Sequence, residues 1–261
     1  MIKFNNLNLQ HKKILPKYKK QLDKIFIKSN YILGSEVKEF ENKFKKKINS
    51  KYCIACNSGT DALFIALKAL NLKKNDEVIT TCHSWISTSS AITNAGGKVV
   101  FCDTNVDDFN INANLIESKI SKKTVAIVVV HLFGSPSDMI KIMKLAEKYN
   151  IKIIEDCAQS HFTKYRNKFV GTIGDIGAFS FYPGKNLGAL GDAGAIITNN
   201  KSYYDKMFLL ARSGCFKKHD HLIEGLNSRM DTIQAAFLNL KLKKIDQWNI
   251  MRLKNAKLYF K

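Results

Sequence analysis

Between residues 52 and 198, short apolar runs rich in β-branched residues alternate with segments of helical spacing. This alternation is typical of a parallel sheet covered by helices on both faces. We expect seven strands, over 52–56, 77–81, 98–103, 124–132, 151–156, 177–182 and 193–198. Helices are expected between the first five strands, over 60–71, about 85–94, 112–120 and 138–149. Because the last strands follow one another without a helix, we expect a mostly parallel α/β sheet with a mixed part.

The net charge of +20 comes from 42 Lys+Arg against 22 Asp+Glu. The central residues 52–200 are nearly neutral, with 15 basic and 13 acidic side chains, and the surplus at either end is almost all lysine. Without interleaved aromatic residues or a recognisable binding module, a solvated lysine-rich surface is favoured over nucleic-acid binding. No apolar run approaches the ~18–20 residues of a membrane span, and no secretion signal is evident. We therefore expect a cytoplasmic protein with no nucleic-acid or membrane partner.

Six cysteines are present, and Cys53 and Cys56 form a lone C-x-x-C motif. Neither a second pair nor a histidine lies at zinc spacing, and this motif falls inside an expected strand. We therefore expect mostly buried, free thiols and no metal site.

The segment 57–61, Asn-Ser-Gly-Thr-Asp, follows the first expected strand and opens an apolar helix. Free amides, a hydroxyl and the positive end of a helix dipole suit a phosphate group. A plain strand-to-helix turn with Ser58 or Thr60 as N-cap explains the same residues equally well.

Asp156 and Lys185 are the two other candidates for chemistry. Asp156 ends an apolar strand, where a carboxylate is costly unless it is paired with a ring nitrogen, a salt-bridge partner or a helix end. Lys185 is the only basic residue between Lys168 and Lys201, in the glycine-rich segment 171–194. Desolvation there would lower its pKa and favour the neutral amine that Schiff-base chemistry needs. A surface lysine in a flexible loop is the other interpretation.

A phosphate cradle, a strand-end aspartate and a secluded lysine are together the groups that a pyridoxal 5'-phosphate site requires. In such a site Asp156 would keep the ring nitrogen protonated. Lys185 would move the proton between the substrate carbon and the cofactor.

Six segments resemble, in family order, the DegT/DnrJ-type sugar-nucleotide aminotransferases, a branch of the fold-type I pyridoxal-phosphate enzymes. They are NSGTDAL (57–63), DEVIT…SW (76–85), HLFGSPSDM (131–139), IIEDCAQSH (153–161), FSFYPGKNLGALGDAGAIIT (179–198) and LNSRMDTIQAA (226–236). The resemblance implies an N-terminal arm and helix over 1–34, a pyridoxal-phosphate-binding large domain over 35–225, and the start of a small C-terminal domain over 226–261. Family members continue for roughly another hundred residues, so the small domain is expected to be largely missing.

By this resemblance Lys185 and Asp156 are the catalytic residues, with Lys185 forming the Schiff base and Asp156 meeting the pyridine nitrogen. Trp85 matches the aromatic residue that stacks on the ring, although an ordinary core tryptophan is the alternative. Asn227 matches an asparagine that reaches the phosphate of the other subunit, which implies a homodimer with shared active sites. The implied cofactor-binding residues are Gly59, Thr60, Asp61, Trp85, Asp156, Gln159, Ser180, Lys185 and Asn227.

The resemblance implies transfer of an amino group, with glutamate as donor, to a keto group of a nucleotide-linked deoxysugar. The pathway would be surface-polysaccharide or deoxysugar biosynthesis. Relatives with histidine in place of Lys185 are keto-sugar dehydratases, so the lysine favours transamination. The dehydratase and a truncated, inactive pyridoxal-phosphate-binding relative remain alternatives. A basic loop could meet the substrate diphosphate through Lys217, Lys218, His219 and His221.

Overall fold

The computed structural model describes residues 6–217 and 219–259. The α-helices are α1 (Leu7–His11), α2 (Leu15–Lys28), α3 (Ser35–Ile48), α4 (Gly59–Ala69), α5 (Ser87–Asn94), α6 (Ala113–Ile116), α7 (Met139–Tyr149), α8 (Lys201–Ala211), α9 (Thr232–Leu242) and α10 (Ile245–Tyr259). The strands are β1 (Tyr52–Cys56), β2 (Glu77–Thr81), β3 (Lys98–Cys102), β4 (Thr124–Val130), β5 (Lys152–Asp156), β6 (Lys164–Tyr165), β7 (Lys168–Phe169), β8 (Ile176–Ser180) and β9 (Gly194–Thr198).

Seven strands form one sheet in the order β1-β9-β8-β5-β4-β2-β3. β9 runs antiparallel to both of its neighbours, and every other adjacent pair is parallel. The chain returns from β8 to β9 without a crossover helix, which only an antiparallel pair allows. The predicted mostly parallel, seven-stranded α/β sheet is confirmed, with each expected strand within two residues of its observed bounds. The short hairpin of β6 and β7 was not predicted.

Residues that alternate along the strands supply the two faces of the sheet with separate cores. On β1, Ile54 and Cys56 face the core that packs against α4, α5 and α8. Cys53 and Ala55 face the opposite core, which α3 and α9 cover with large aromatic and aliphatic side chains. The sheet is therefore buried on both sides, as its near-continuous apolar strands require.

Helix α9 packs against both α3 and α2. Ala235 and Leu238 belong to the core shared with the sheet, while Phe237 contacts Tyr18 and Ile25 of α2. A separate domain beginning at residue 226 stays a prediction.

The six cysteines are free, and four of them are buried in the core, but Cys82 is exposed and Cys215 is half-buried. Within the two described stretches of chain, no helix combines the length and hydropathy needed to cross a membrane. The carboxyl ends of β1, β2, β4, β5 and β8 meet at one edge of the sheet because these strands are parallel to one another. This edge is where open α/β sheets bind ligands.

Candidate active site

Asp156, the last residue of β5, lines a cavity at this edge although its side chain is only 5% exposed. Its Oδ1 accepts a hydrogen bond from the Ala158 amide at 3.1 Å, and its Oδ2 accepts one from the Thr88 hydroxyl at 3.0 Å. Burial raises the pKa of the Asp156 carboxyl, and these hydrogen bonds and the charge of Lys185 oppose that rise. Because a carboxylate can accept about four hydrogen bonds, Asp156 retains capacity for a further donor.

Glu155, its neighbour on β5, is fully buried and its side chain leaves the opposite face of the strand. Three backbone N–H groups donate to its carboxylate at 2.7 to 2.8 Å, from Gly171, Ile173 and Gly174. His131 Nδ1 accepts from the Ser137 amide, so Nε2 carries the proton and donates to Glu155 at 3.0 Å. Ligand atoms of His131, Glu155 and Cys157 lie within 4.8 Å of one another. Four hydrogen-bond donors already surround the Glu155 carboxylate, however, and such surroundings stabilise the anion and disfavour a bound metal ion.

The first turn of α4 forms a second wall of the cavity. Ser58 Oγ accepts a hydrogen bond from the Asp61 amide at 3.1 Å, so Ser58 is the helix N-cap. This cap leaves the amides of Gly59 and Thr60 without a partner inside the helix. A Cβ on Gly59 would lie 2.5 Å from the Cβ of Ser180, so only glycine allows α4 to begin this close to the end of β8. Amides, hydroxyls and a positive helix end together give this corner the chemistry of a phosphate site.

Lys185 lies half-buried in the loop between β8 and β9. Burial lowers the pKa of its ammonium group, and the nearby Asp156 carboxylate opposes that fall. The loop is closely packed, because the Lys185 amide donates to the Tyr182 carbonyl at 2.8 Å and a Cβ on Gly188 would lie 2.2 Å from the Pro183 carbonyl oxygen. A fixed lysine with a lowered pKa supplies a neutral amine more readily than a surface lysine does.

Trp85 and Gln159 also line the cavity, which has a volume of about 400 Å³, within the roughly 300–1,000 Å³ typical of small-molecule sites. Trp85 is 75% exposed, so it is no ordinary core tryptophan. Gln159 Oε1 accepts from the Phe133 amide at 2.9 Å, which leaves its NH2 group free to donate. The lining comprises Ser58, Gly59, Thr60, Leu63, Ser84, Trp85, Ser87, Thr88, Val130, Asp156, Ala158, Gln159, Ser180, Tyr182, Lys185 and Asp192.

Seven of the nine predicted cofactor-binding residues therefore line one cavity: Gly59, Thr60, Trp85, Asp156, Gln159, Ser180 and Lys185. The other two lie outside its lining. The Asp61 amide serves the helix cap, and its carboxylate accepts a hydrogen bond from Ser228 at 2.7 Å. Asn227 is exposed and forms a backbone bridge with Arg212. The cofactor contacts of all nine residues stay predictions.

The predicted basic loop lies away from this lining. Lys217, His219 and His221 are exposed, and His221 Nδ1 lies 2.7 Å from the Ser213 carbonyl oxygen. Lys218 falls outside the described residues.

Sequence reasoning missed the hydroxyl groups that follow β2. Thr88 donates to Asp156, and Ser84 Oγ lies 2.8 Å from Thr88 Oγ1. Ser87 Oγ lies 2.7 Å from Thr60 Oγ1, so Ser87 contacts the first turn of α4, which has the chemistry of a phosphate site. The available signal was the density of serine and threonine in SWISTSS (84–90), directly after a strand.

The cavity suits a small ligand with an anionic group for the first turn of α4, a basic nitrogen for Asp156 and an electrophilic carbon for Lys185. The DegT/DnrJ/EryC1/StrS aminotransferase family profile matches residues 13–261. The chain belongs to this family. Its membership confirms the predicted enzyme class, since these are aminotransferases that depend on pyridoxal phosphate.

The family relatives agree with this assignment in sequence and in backbone. The chain is 41% identical over 259 residues to the dTDP-3-amino-3,6-dideoxy-alpha-D-galactopyranose transaminase of Aneurinibacillus thermoaerophilus, covering 99% of this chain and 71% of that protein. It matches S. venezuelae DesV, solved in complex with a ketimine intermediate, with a TM-score of 0.96 and 34% identity over 99% of this chain and 70% of that one. It also matches NtdA from Bacillus subtilis, solved with bound cofactor PMP, with a TM-score of 0.84 and 34% identity over 88% of this chain and 53% of that one. The fold-type I assignment of the aminotransferase family is thereby confirmed.

Proposed function

We propose that this chain uses pyridoxal phosphate to move an amino group from glutamate to the keto group of a nucleotide-linked deoxysugar, in surface-polysaccharide or deoxysugar biosynthesis. The observation that carries the proposal is that Lys185, with its lowered pKa, and the buried Asp156 line the same cavity. The relatives named as sugar-nucleotide transaminases support the choice of substrate class.

The donor set of the cavity fits pyridoxal phosphate. The amides of Gly59 and Thr60 and the Ser180 hydroxyl would hold the phosphate, and Asp156 would pair with the protonated ring nitrogen. When bound, the cofactor supplies an electron-withdrawing ring that takes up electrons as a proton leaves the substrate carbon. Trp85 would cover the ring, and the free NH2 of Gln159 is a donor for an oxygen on it.

Lys185 is the proton-transfer residue of the proposal. Its amine would hold the cofactor, and it would carry the proton to and from the substrate carbon. Burial lowers the pKa of this amine, which makes its neutral form easier to reach. The presence of lysine at this position supports transamination over the keto-sugar dehydratase.

A homodimer with shared active sites is part of the proposal. Trp85 and Tyr182 are 75% and 58% exposed at the cavity, and Asn227 is exposed outside it. A second subunit would cover these aromatic side chains and bring its own Asn227 to the phosphate corner.

The test is to add pyridoxal phosphate to the purified chain, record the visible absorbance, reduce with borohydride and map the modified peptide. We expect a yellow protein labelled at Lys185, with no defined label in the Lys185→Ala variant. Lys241 is an internal control, because its pKa is lowered to about 8 but its side chain is fully buried. Glutamate should bleach the colour, and a nucleotide-linked keto sugar should restore it. Label scattered over surface lysines, or no chromophore, would overturn the proposal.

A further inference from the structure

Two hydroxyl groups behind Asp156 form a chain whose direction follows from counting protons. Thr88 Oγ1 lies 3.0 Å from Asp156 Oδ2 and donates its only proton to that carboxylate oxygen. Ser84 Oγ lies 2.8 Å from Thr88 Oγ1, so Ser84 must be the donor of this second hydrogen bond. The chain therefore runs from Ser84 through Thr88 to Asp156.

We infer that the Ser84–Thr88 pair is a positioning relay, which holds the Asp156 carboxylate ionised and oriented for a protonated ring nitrogen. The inference rests on the proposed function, because it assigns this pair to the residue that would meet the cofactor. Thr88 acts through Asp156, and both Thr88 and Ser84 also line the cavity.

The relay matters because Asp156 has few other donors. Its Oδ1 is held by the Ala158 amide at 3.1 Å, and Thr88 alone holds Oδ2 among the hydrogen bonds of the described chain. The charge of Lys185 favours its ionised form against the burial that disfavours it, and His131, whose ring is neutral in the hydrogen bonds described above, is the other titratable group nearby. Without Thr88 the carboxylate would be held at one oxygen only, and protonation would become easier.

The surroundings of Thr88 indicate a role beyond filling space. Threonine hydroxyls in helices commonly bond to a carbonyl of the preceding turn. Thr88, in the first turn of α5 and only 2% exposed, directs its hydroxyl across to β5 instead. Valine has nearly the same shape but lacks the hydroxyl donor, so Thr88→Val separates the packing of this side chain from its hydrogen bond.

The relay also makes one side of the cavity an acceptor-only surface. Ser84 has given its proton to Thr88, and an ionised Asp156 has none to give. A ligand nitrogen on this side must therefore bring its own proton. This selects the pyridinium form of a ring over the neutral pyridine, which is the form that withdraws electrons more strongly.

The experiment compares Thr88→Val, Thr88→Ser and Ser84→Ala with the unmodified chain, by titrating each with pyridoxal phosphate across a pH series. We expect Thr88→Val to raise the dissociation constant about tenfold, and to lose affinity at a higher pH than the parent chain as pH falls. Thr88→Ser should restore the affinity to within about threefold, and Ser84→Ala should give a smaller loss than Thr88→Val. Urea unfolding of each cofactor-free variant reports separately on folding.

Equal affinity of Thr88→Val and the parent chain would overturn the relay, as would a Thr88→Ser variant as weak as Thr88→Val. A loss that is the same at every pH would also overturn it, because packing alone predicts that result. If the parent chain binds no cofactor, the proposed function fails, and the relay is then tested without it. In that case the infrared band of protonated Asp156, identified by its loss in Asp156→Asn, should form at higher pH in Thr88→Val; no shift would overturn the inference.

Discussion

Glu155 and Asp156 are neighbours at the end of one strand, yet their side chains have opposite surroundings. Glu155 lies on one face with four donors, three backbone amides and the His131 ring. Asp156 lies on the other face with two donors and lines the cavity. The number of hydrogen bonds already made therefore distinguishes a carboxylate with saturated hydrogen bonding from one that can still accept a further donor.

Of the two carboxylates, only Asp156 is ionised at a cost in free energy that its hydrogen bonds do not offset. Burial raises the pKa of Asp156, which means that its surroundings stabilise the ionised form less well than water does. A ligand that brings a positive charge would relieve this, so under the proposed function binding would gain from surroundings that folding alone would avoid. Glu155 has the saturated hydrogen bonding that a buried anion needs for stability.

The largest change in stability is expected from a substitution of Glu155. Glu155→Gln would place an NH2 group against backbone donors and leave some of them unpaired. We expect the free energy of unfolding to fall by about 3–5 kcal/mol, measured by urea denaturation followed by circular dichroism. The exposed Glu147→Gln is the matched control and should stay within about 0.5 kcal/mol of the parent chain. A Glu155→Gln variant as stable as that control would contradict the structural role assigned to the hydrogen bonds of Glu155.

Asp156→Asn should have the opposite effect on the cofactor-free protein. Removing a poorly solvated charge should raise the free energy of unfolding by about 1 kcal/mol at pH 7. Because the pKa of Asp156 is raised in the folded state, the parent chain gains stability as the pH falls through that pKa. The difference in the free energy of unfolding between Asp156→Asn and the parent chain should then disappear. The dissociation constant for pyridoxal phosphate should rise about 100-fold, measured by absorbance. A variant that is destabilised and still binds the cofactor would assign Asp156 to the fold instead.

A third buried charge sharpens the same distinction. Lys241 of α9 is fully buried, with Nζ 3.2 Å from His11 Nε2 and over the rings of Phe237 and Trp248. Burial lowers its pKa from 10.5 to about 8, and lowers that of His11 to about 4, so a neutral imidazole is its hydrogen-bond acceptor. Because no carboxylate among the described residues pairs with it, this ammonium group should cost stability.

Lys241→Met should therefore raise the free energy of unfolding by about 1 kcal/mol at pH 7. Between pH 8 and 10.5 the unfolded parent chain binds more protons than the native one, so its stability should rise with pH and the difference should narrow. Urea denaturation of both proteins across this range measures the effect. If the stability difference between Lys241→Met and the parent chain widened as the pH rises, it would contradict the destabilisation assigned to the buried Lys241 ammonium group.

The strands, the sheet and several cavity residues were predictable because their signals are local. Runs of β-branched residues mark strands, and Asp156, Lys185 and Gly59 stand out against their immediate neighbours. The Thr88–Asp156 hydrogen bond joins residues 68 apart and depends on the registers of β2, β4 and β5. The donors to Glu155 come from a loop near residues 171–174, which no spacing rule connects to β5. Such contacts are set by tertiary packing, so composition and periodicity could not provide them.

The close contact between Gly59 and Ser180 also bears on how substrate preference could diversify in this family. The wall around α4 is fixed by two backbones in near contact, so any side chain larger than hydrogen at position 59 separates helix from strand. The lining also includes exposed side chains such as Asp192, which can be exchanged without disturbing a core. Substitutions at such exposed lining positions, in evolution or in a designed library, therefore leave the shape of the α4 wall unchanged.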